Sequence, residues 1–297
     1  MKRLEPFAYF EPASLAEAVD ILSESKKDAC LLAGGTDLLV RMKRGEIAPP
    51  VLVNLKRISG LSQIERVQGA VRIGALTSIA EIEHSSLLQA YHPALADAAA
   101  VLGSPSIRNL ATLGGNIGRA SPASDMAPPL LVLKARLNLA GPGGSREVGP
   151  ESFFTGPGTT ILQPGEIITG FSLPDAEARS GAAYLKLGRR DVMDCALVGV
   201  AVSITLGKTD AEVKQVLVAM TACSSIPMRA AKVEQFLLSG PLTEVRIREA
   251  AAVAAAETSP ISDLRASASY RLQMVKVMFS RALTIACRRA TEKRGAL

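Results

Sequence analysis

The distribution of apolar and polar positions divides the chain into two parts that differ in the order of their predicted elements. In the first part, short apolar strands alternate with short helices, and strands are predicted at 29–33, 51–55, 71–75, 136–140 and 166–173. In the second part, three strands, at 182–187, 197–206 and 213–220, precede three helices, at 228–238, 243–256 and 267–290. Strands followed by helices predict an α+β domain with its helices on one face of an antiparallel sheet. The polar, aperiodic segment 174–181 is the predicted domain boundary.

Capping residues mark the helix starts of the first part. Ser14 and Ser78 are each followed three residues later by a glutamate, which is the pattern of a capping box. Asp125 precedes an apolar segment that has Pro128 near its beginning. We therefore predict that Asp125 caps a helix running to about residue 133.

Two glycine pairs are the strongest sign of a ligand. The first segment is Leu32, Ala33, Gly34, Gly35, Thr36 and Asp37, and the second is Ala111, Thr112, Leu113, Gly114, Gly115 and Asn116. Glycine admits positive φ and close backbone approach, and successive N–H groups in such a turn form an anion-binding nest. Each pair alone also fits an ordinary strand-to-loop turn. Together they predict one ligand that carries a diphosphate and hydroxyl groups and is held from two sides. The spacing of the glycines matches neither the Rossmann fingerprint nor the P-loop.

Composition and charge narrow the class of protein. The 297 residues are 48% hydrophobic and 21% charged, which predicts a globular protein of two domains. The net charge of +6 comes from lysines and arginines that are mostly scattered among acidic residues, and tryptophan is absent. Nucleic-acid binding is therefore not expected.

Cysteines and histidines give no conventional active site. Cys30, Cys195, Cys223 and Cys287 form no C-x-x-C pair, which argues against a zinc ribbon or an iron–sulfur site. The only histidines, His84 and His92, are an improbable metal pair, and no G-x-S-x-G elbow is present. The sequence shows no signal peptide and no membrane-spanning apolar run, so we expect a cytoplasmic protein with free thiols.

The two glycine segments, with residues 121–125 (sequence SPASD), resemble the two FAD-binding segments of the molybdenum hydroxylase family. That family includes xanthine dehydrogenase and the medium subunit of carbon monoxide dehydrogenase. Residues 164–168, 184–190 and 266–283 also resemble segments of the family. The resemblance covers nearly the whole chain.

The resemblance implies an α+β fold and a division into domains. A two-subdomain FAD-binding domain of the PCMH type would occupy residues 1–177, with subdomains of about 1–57 and 58–177. A C-terminal domain of antiparallel sheet plus helices would occupy residues 178–297.

The resemblance also implies roles for matching residues. Backbone N–H groups of 32–36 and 112–116 would hold the FAD diphosphate, and Asp125 would hydrogen-bond hydroxyl groups on the flavin side. Leu102 and Ile168 would pack near the flavin, and Lys186 would contact the cofactor from the C-terminal domain. FAD would be bound non-covalently, because neither glycine segment contains histidine; a tether through Cys30 is the alternative.

The implied function is electron transfer within a three-part enzyme. Molybdopterin would reside on a large partner subunit and two [2Fe–2S] clusters on a small one, with FAD here passing electrons to an acceptor such as NAD⁺. The chain would then need no catalytic acid or base of its own. Two alternatives stay open: a stand-alone FAD-dependent oxidoreductase of related fold, and a non-redox nucleotide-binding protein.

Overall fold

The computed structural model describes residues 4–25, 28–190 and 192–292. The strands of these residues form four β-sheets. The first sheet is parallel, in the order β1 (Ala8–Phe10), β3 (Val51–Asn54) and β2 (Ala29–Leu32). Helix α1 (Leu15–Ser25) packs on this sheet, and α2 (Leu38–Arg44) follows the first glycine segment. Ser14 Oγ accepts from Glu17 N at 3.2 Å, so Ser14 caps the helix start as predicted. The Glu17 carboxylate accepts from Ala13 N at 2.8 Å, one residue before the N–H that a standard capping box uses.

The second sheet is antiparallel and has β10 (Ile167–Pro174) at its centre. Its order is β4 (Ile64–Val67), β5 (Ala70–Gly74), β10, β6 (Arg136–Gly141) and β7 (Gly144–Val148). The helices of this part are α3 (Ile79–His84), α4 (Ser86–Tyr91), α5 (Pro93–Val101), α6 (Pro105–Arg108), α7 (Leu113–Gly118) and α8 (Ala127–Val132). A small hairpin joins β8 (Phe154–Gly156) to β9 (Thr159–Thr160). The capping box of Ser78 and Glu81 is complete, as predicted.

The third large sheet is antiparallel, in the order β11 (Ser180–Leu187), β12 (Val198–Leu206), β13 (Val213–Thr221) and β14 (Met228–Arg229). It is followed by α9 (Ala231–Leu238), α10 (Glu244–Ala256) and α11 (Ala268–Glu292). The helix predicted at 228–238 therefore begins three residues later, because Met228 and Arg229 pair with β13 as a short strand.

Side chains of the third sheet alternate between two hydrophobic cores. Tyr184 and Ala201 belong to a large core shared with α5 and α8, whereas Ala183 and Val200 belong to the core beneath α9–α11. This alternation follows from the strand period of two. Both faces of the sheet are thus covered, one of them by helices of the first part of the chain. The α+β fold class is confirmed.

Candidate functional site

A cleft of about 530 Å³ lies between the first, parallel sheet and the second sheet, which has β10 at its centre. Both glycine segments line it, and so do residues of β2, α2, α7 and β10. Of the predicted site residues, twelve line the cleft: Ala33, Gly34, Gly35, Thr36, Asp37, Leu102, Ala111, Thr112, Gly114, Gly115, Asn116 and Ile168. Leu32 is buried just before the first segment and is not part of the lining.

The two residues of the first glycine pair are each required to be glycine for a different structural reason. Gly35 has a φ of +74°, a left-handed conformation in which other residues are strained. Gly34 is packed against the second segment, because a Cβ on Gly34 would lie 2.1 Å from the carbonyl oxygen of Leu110. The two segments therefore touch each other through their backbones.

The first segment retains free donor groups. The backbone N–H groups of Gly34, Gly35 and Thr36 donate no hydrogen bond to any group in the described part of the chain. The three residues line the cleft and are partly exposed. Unpartnered N–H groups of successive residues are the donors that an anion requires.

The second glycine pair does not form a nest, contrary to the interpretation drawn from its sequence. Gly114 N donates to Ala75 O at 2.8 Å, Gly115 N to Thr112 Oγ1 at 3.1 Å and Asn116 N to Thr112 O at 2.9 Å. The pair lies in the first turn of α7 rather than at a strand end. Gly114 is needed for packing, since a Cβ there would lie 2.7 Å from the Ala75 side chain. The N–H groups of the glycine pair are therefore satisfied within the protein, and this segment offers the cleft mainly side-chain groups.

The lining of the cleft combines polar and apolar groups. Ser121, Ser124, Thr36 and Asn116 supply hydroxyl and amide groups, and Ser124 Oγ donates to Asn116 Oδ1 at 2.6 Å. Leucine and isoleucine side chains supply an apolar wall made of Leu55, Leu76, Leu102, Ile107, Leu162, Ile167 and Ile168. The cleft can therefore hold a ligand that has both polar and flat apolar portions.

Three charged side chains lie at the rim. Asp37 Oδ2 is 2.8 Å from Arg119 Nε and 3.9 Å from Arg41, and all three residues line the cleft. Asp37 precedes α2 but makes no capping hydrogen bond with its side chain. The two arginines were not singled out from the sequence, because an arginine beside a short helix carries no recognisable pattern.

Asp125 and Lys186 form a buried ion pair that does not line the cleft. Lys186 Nζ donates to Asp125 Oδ2 at 2.7 Å and to Val101 O at 3.1 Å, and Tyr184 Oη donates to Asp125 Oδ1 at 2.7 Å. Burial raises the pKa of Asp125, and Lys186 and Tyr184 oppose this shift. Burial and the nearby carboxylate also raise the pKa of Tyr184.

The prediction that Asp125 caps α8 is wrong. The N-cap position is Met126, which has no side-chain cap, and the N–H of Ala127 donates to Ser124 Oγ at 3.3 Å. The Asp125 carboxylate turns instead to the buried ammonium of Lys186, because an unpaired charge there would be far more costly than an uncapped helix. The pair lies directly behind the lining, since the neighbouring residues Leu102 and Ser124 are both in the cleft wall.

Cys30 is a further lining residue, and burial raises the pKa of its thiol. No helix in the described ranges has the length and apolar character needed to cross a bilayer. Within the same ranges, no group of three or more His, Cys, Asp or Glu side chains is arranged to hold a metal ion.

Comparisons with known proteins agree with this architecture. Residues 5–176 match the family model described as the FAD binding domain in molybdopterin dehydrogenase, and residues 182–286 match the CO dehydrogenase flavoprotein C-terminal domain. The carbon monoxide dehydrogenase medium chain of Hydrogenophaga pseudoflava is 34% identical over 94% of this chain and 96% of its own length. The xanthine dehydrogenase FAD-binding subunit of Escherichia coli O157:H7 is 31% identical over 93% of this chain and 94% of its own length.

Solved structures give the same result. A chain of carbon monoxide dehydrogenase from Hydrogenophaga pseudoflava superposes with a TM-score of 0.93 at 35% identity, over 97% of this chain and 99% of that one. A chain of quinoline 2-oxidoreductase from Pseudomonas putida 86 superposes with a TM-score of 0.90 at 26% identity, over 97% and 99%. By sequence and by fold, this chain belongs to the family of FAD-binding subunits of molybdenum hydroxylases, and it is a subunit of an oxidoreductase.

Proposed function

We propose that the cleft between the two glycine segments binds FAD non-covalently and that the subunit relays electrons within a three-part dehydrogenase. The observation that carries this proposal is the row of backbone N–H groups at Gly34, Gly35 and Thr36, three lining residues whose N–H groups have no acceptor within the described part of the chain. Donors of this kind suit a diphosphate, while the hydroxyl and amide side chains suit a ribityl chain and the leucine and isoleucine wall suits a flavin ring.

The residues of the first segment hold the phosphates in this proposal, and those of the second orient the rest of the ligand. The side chains of Thr112 and Asn116 face the cleft as hydrogen-bonding groups, and Leu102 and Ile168 exclude water from the apolar part. Asp125 and Lys186 act from behind the wall, where their ion pair fixes the positions of Ser124 and Val101. This differs from direct contact of both residues with the cofactor, which the resemblance implied.

The partners follow from the family. We propose a large molybdopterin-binding subunit, on which substrate is oxidised, and a small subunit carrying [2Fe–2S] clusters. Electrons would enter this subunit from the clusters and leave to an acceptor such as NAD⁺, in the cytoplasm. Bound FAD supplies the redox chemistry, while the chain supplies its position and surroundings.

A visible absorption spectrum tests the cofactor. The purified full-length chain, loaded with FAD and freed of excess, should show flavin bands at close to one FAD per chain. A chain without flavin bands that also takes up no added FAD would contradict both this proposal and the stand-alone oxidoreductase alternative, and would leave a non-redox nucleotide-binding protein.

Activity and co-purification test the relay. The isolated FAD-loaded chain should oxidise no organic substrate, whereas the chain purified through a tag from its native host should bring down a molybdopterin-containing subunit and a [2Fe–2S] subunit. Rapid oxidation of an organic substrate by the isolated chain would instead favour the stand-alone oxidoreductase.

A further inference from the structure

The two glycine segments are joined at a second point, at the rim of the cleft. Their first contact is the packing of Gly34 on Leu110. Three residues further along the first segment, the Asp37 carboxylate meets Arg119, which directly follows α7. The Asp37 and Arg119 side chains are 50% and 38% exposed, so this contact lies at the mouth of the cleft rather than at its floor.

The local structure around Asp37 and around Arg119 leaves both side chains available for this contact. Asp37 occupies the position before α2 where aspartate ordinarily caps a helix, yet its carboxylate bonds no N–H group of α2. Arg119 is followed by Ala120 in a left-handed conformation, with a φ of +49°. Gly158 N donates to Ala120 O at 2.9 Å, which anchors this reversal to the β8–β9 hairpin. The Arg119 Nε atom is buried and makes no hydrogen bond of good geometry with any described residue, so its 2.8 Å contact with Asp37 Oδ2 is an ion pair.

We propose that Asp37 and Arg119 form a closing contact that retains the bound dinucleotide, with Arg119 as a positioning residue that acts through Asp37. The proposal rests on FAD being the ligand of this cleft. The first segment follows β2 of the parallel sheet, whereas Arg119 follows α7, which packs on β10 of the second sheet, so the ion pair resists their separation at the rim. A ligand held between the segments then leaves more slowly while the pair is intact.

The alternative role for Arg119 is direct attraction of the phosphates. The two roles differ in what Asp37 does. If Arg119 acts on the ligand, Asp37 competes for the guanidinium and repels the phosphates, and its removal slows FAD release. If the pair is a closing contact, removal of either partner speeds release.

The test is the rate of FAD dissociation from the full-length chain, followed by the recovery of flavin fluorescence after dilution. Asp37→Asn and Arg119→Gln should each speed release about two- to fivefold at low salt, the range expected for a half-exposed ion pair. The double variant should release FAD no faster than the single variants, because the two residues act through one contact.

Salt and a control pair separate this role from a general loss of charge. The differences between variants and wild type should shrink at about 500 mM salt, where exposed ion pairs are screened. Arg66 and Asp175 form an ion pair of similar exposure, at 2.6 Å, and neither residue lines the cleft. Asp175→Asn should leave the release rate unchanged.

Several outcomes would overturn the closing contact. These are unchanged release in both single variants, slower release in Asp37→Asn, or additive effects in the double variant. A wild-type chain that binds no FAD would instead overturn the proposed function. Thermal unfolding of each variant verifies that the rates come from folded protein.

Discussion

Lys186 on β11 donates to Asp125, which precedes α8, so one buried ion pair joins the sheet of the C-terminal part to the cleft wall of the first part. Breaking such a pair leaves an unpaired charge in a buried position. Lys186→Met should therefore lower the free energy of unfolding by about 3 kcal/mol. Denaturant unfolding measures this change, and FAD occupancy of the variant should fall with it.

A double variant tests whether the loss of stability in Lys186→Met comes from the unpaired charge that it leaves on Asp125. Asp125→Leu combined with Lys186→Met removes both charges, and it should be more stable than the sum of the single variants predicts. Strict additivity of the two substitutions would show that the residues do not act as a pair.

Gly34→Ala should abolish retention of FAD. The added Cβ would lie 2.1 Å from Leu110 O, so the two glycine segments would have to move apart. We expect a loss of stability of about 1–3 kcal/mol as well. Gly143→Ala is the matched control, because a Cβ there meets no atom within 4 Å. Stoichiometric flavin in Gly34→Ala would contradict the assignment of this wall to FAD.

Gly35 and Gly115 give a related prediction with different reasons. A bulky residue at Gly35 would be strained by the φ of +74°, and at Gly115 its Cβ would lie 2.8 Å from Thr112 Oγ1. Both replacements should abolish FAD retention, as judged by the ratio of flavin to protein absorbance after gel filtration. Full occupancy in both variants would exclude a role of these turns in the site.

Asp97 and Arg289 cover the free edge of β11. Asp97 Oδ2 accepts from Tyr184 N at 3.2 Å and from Arg289 Nη1 at 2.6 Å, and Arg289 Nη1 also donates to Ala182 O at 2.7 Å. Arg289→Gln should cost about 1 kcal/mol of stability. It should also promote self-association, because an uncovered strand edge can pair with another chain. Light scattering after gel filtration measures this, with Arg288→Gln as the exposed control.

Asp263 should control the acid stability of the C-terminal part. Burial alone would raise the pKa of Asp263, but N–H donors of Arg265 and Ala266 and the Arg271 guanidinium outweigh it and lower the pKa to about 2. A pKa that is lower in the folded state contributes stability above about pH 4, and this stability is lost as the pH falls toward 2. Asp263→Asn should flatten the stability profile in that window, as measured by denaturant unfolding at each pH.

FAD should be released intact when the protein is denatured. Burial raises the pKa of Cys30, the cysteine in the cleft lining, and so disfavours the nucleophilic thiolate that a tether would require. Acid precipitation should leave all flavin in the supernatant, for wild type and for Cys30→Ser alike. Flavin that remains with the precipitated wild-type protein but not with Cys30→Ser would establish a covalent link.

Local patterns in the sequence predicted much of the fold. The Ser78 capping box and the apolar run 197–206 predicted the observed helix α3 and strand β12, because such elements are determined by neighbouring residues. The short strands β4, β7, β8 and β9 were not predicted, since each has few buried residues and depends on its pairing partner.

Site residues were predictable where a backbone requirement marks them. The glycine segments stood out because glycine is unusual in apolar runs, but the reason for Gly34 and Gly114 is contact between distant segments, which no local pattern carries. Asp125 was misread as a cap because its partner Lys186 lies 61 residues away, while the first N–H of α8 donates to Ser124 Oγ instead. Arg41 and Arg119 were not predicted as site residues, because their proximity to Asp37 and to the cleft arises only when the chain folds.

The contact of Gly34 with Leu110 has a consequence for how the subunit matures. One wall of the cleft comes from the turn after β2, and the opposite wall ends with Ile168 on β10, the central strand of another sheet. A nascent chain thus has no complete binding site until more than half of it has been synthesised and these two sheets have come together. Binding of the dinucleotide therefore requires that these two parts have folded together, and it then stabilises the arrangement that made it possible.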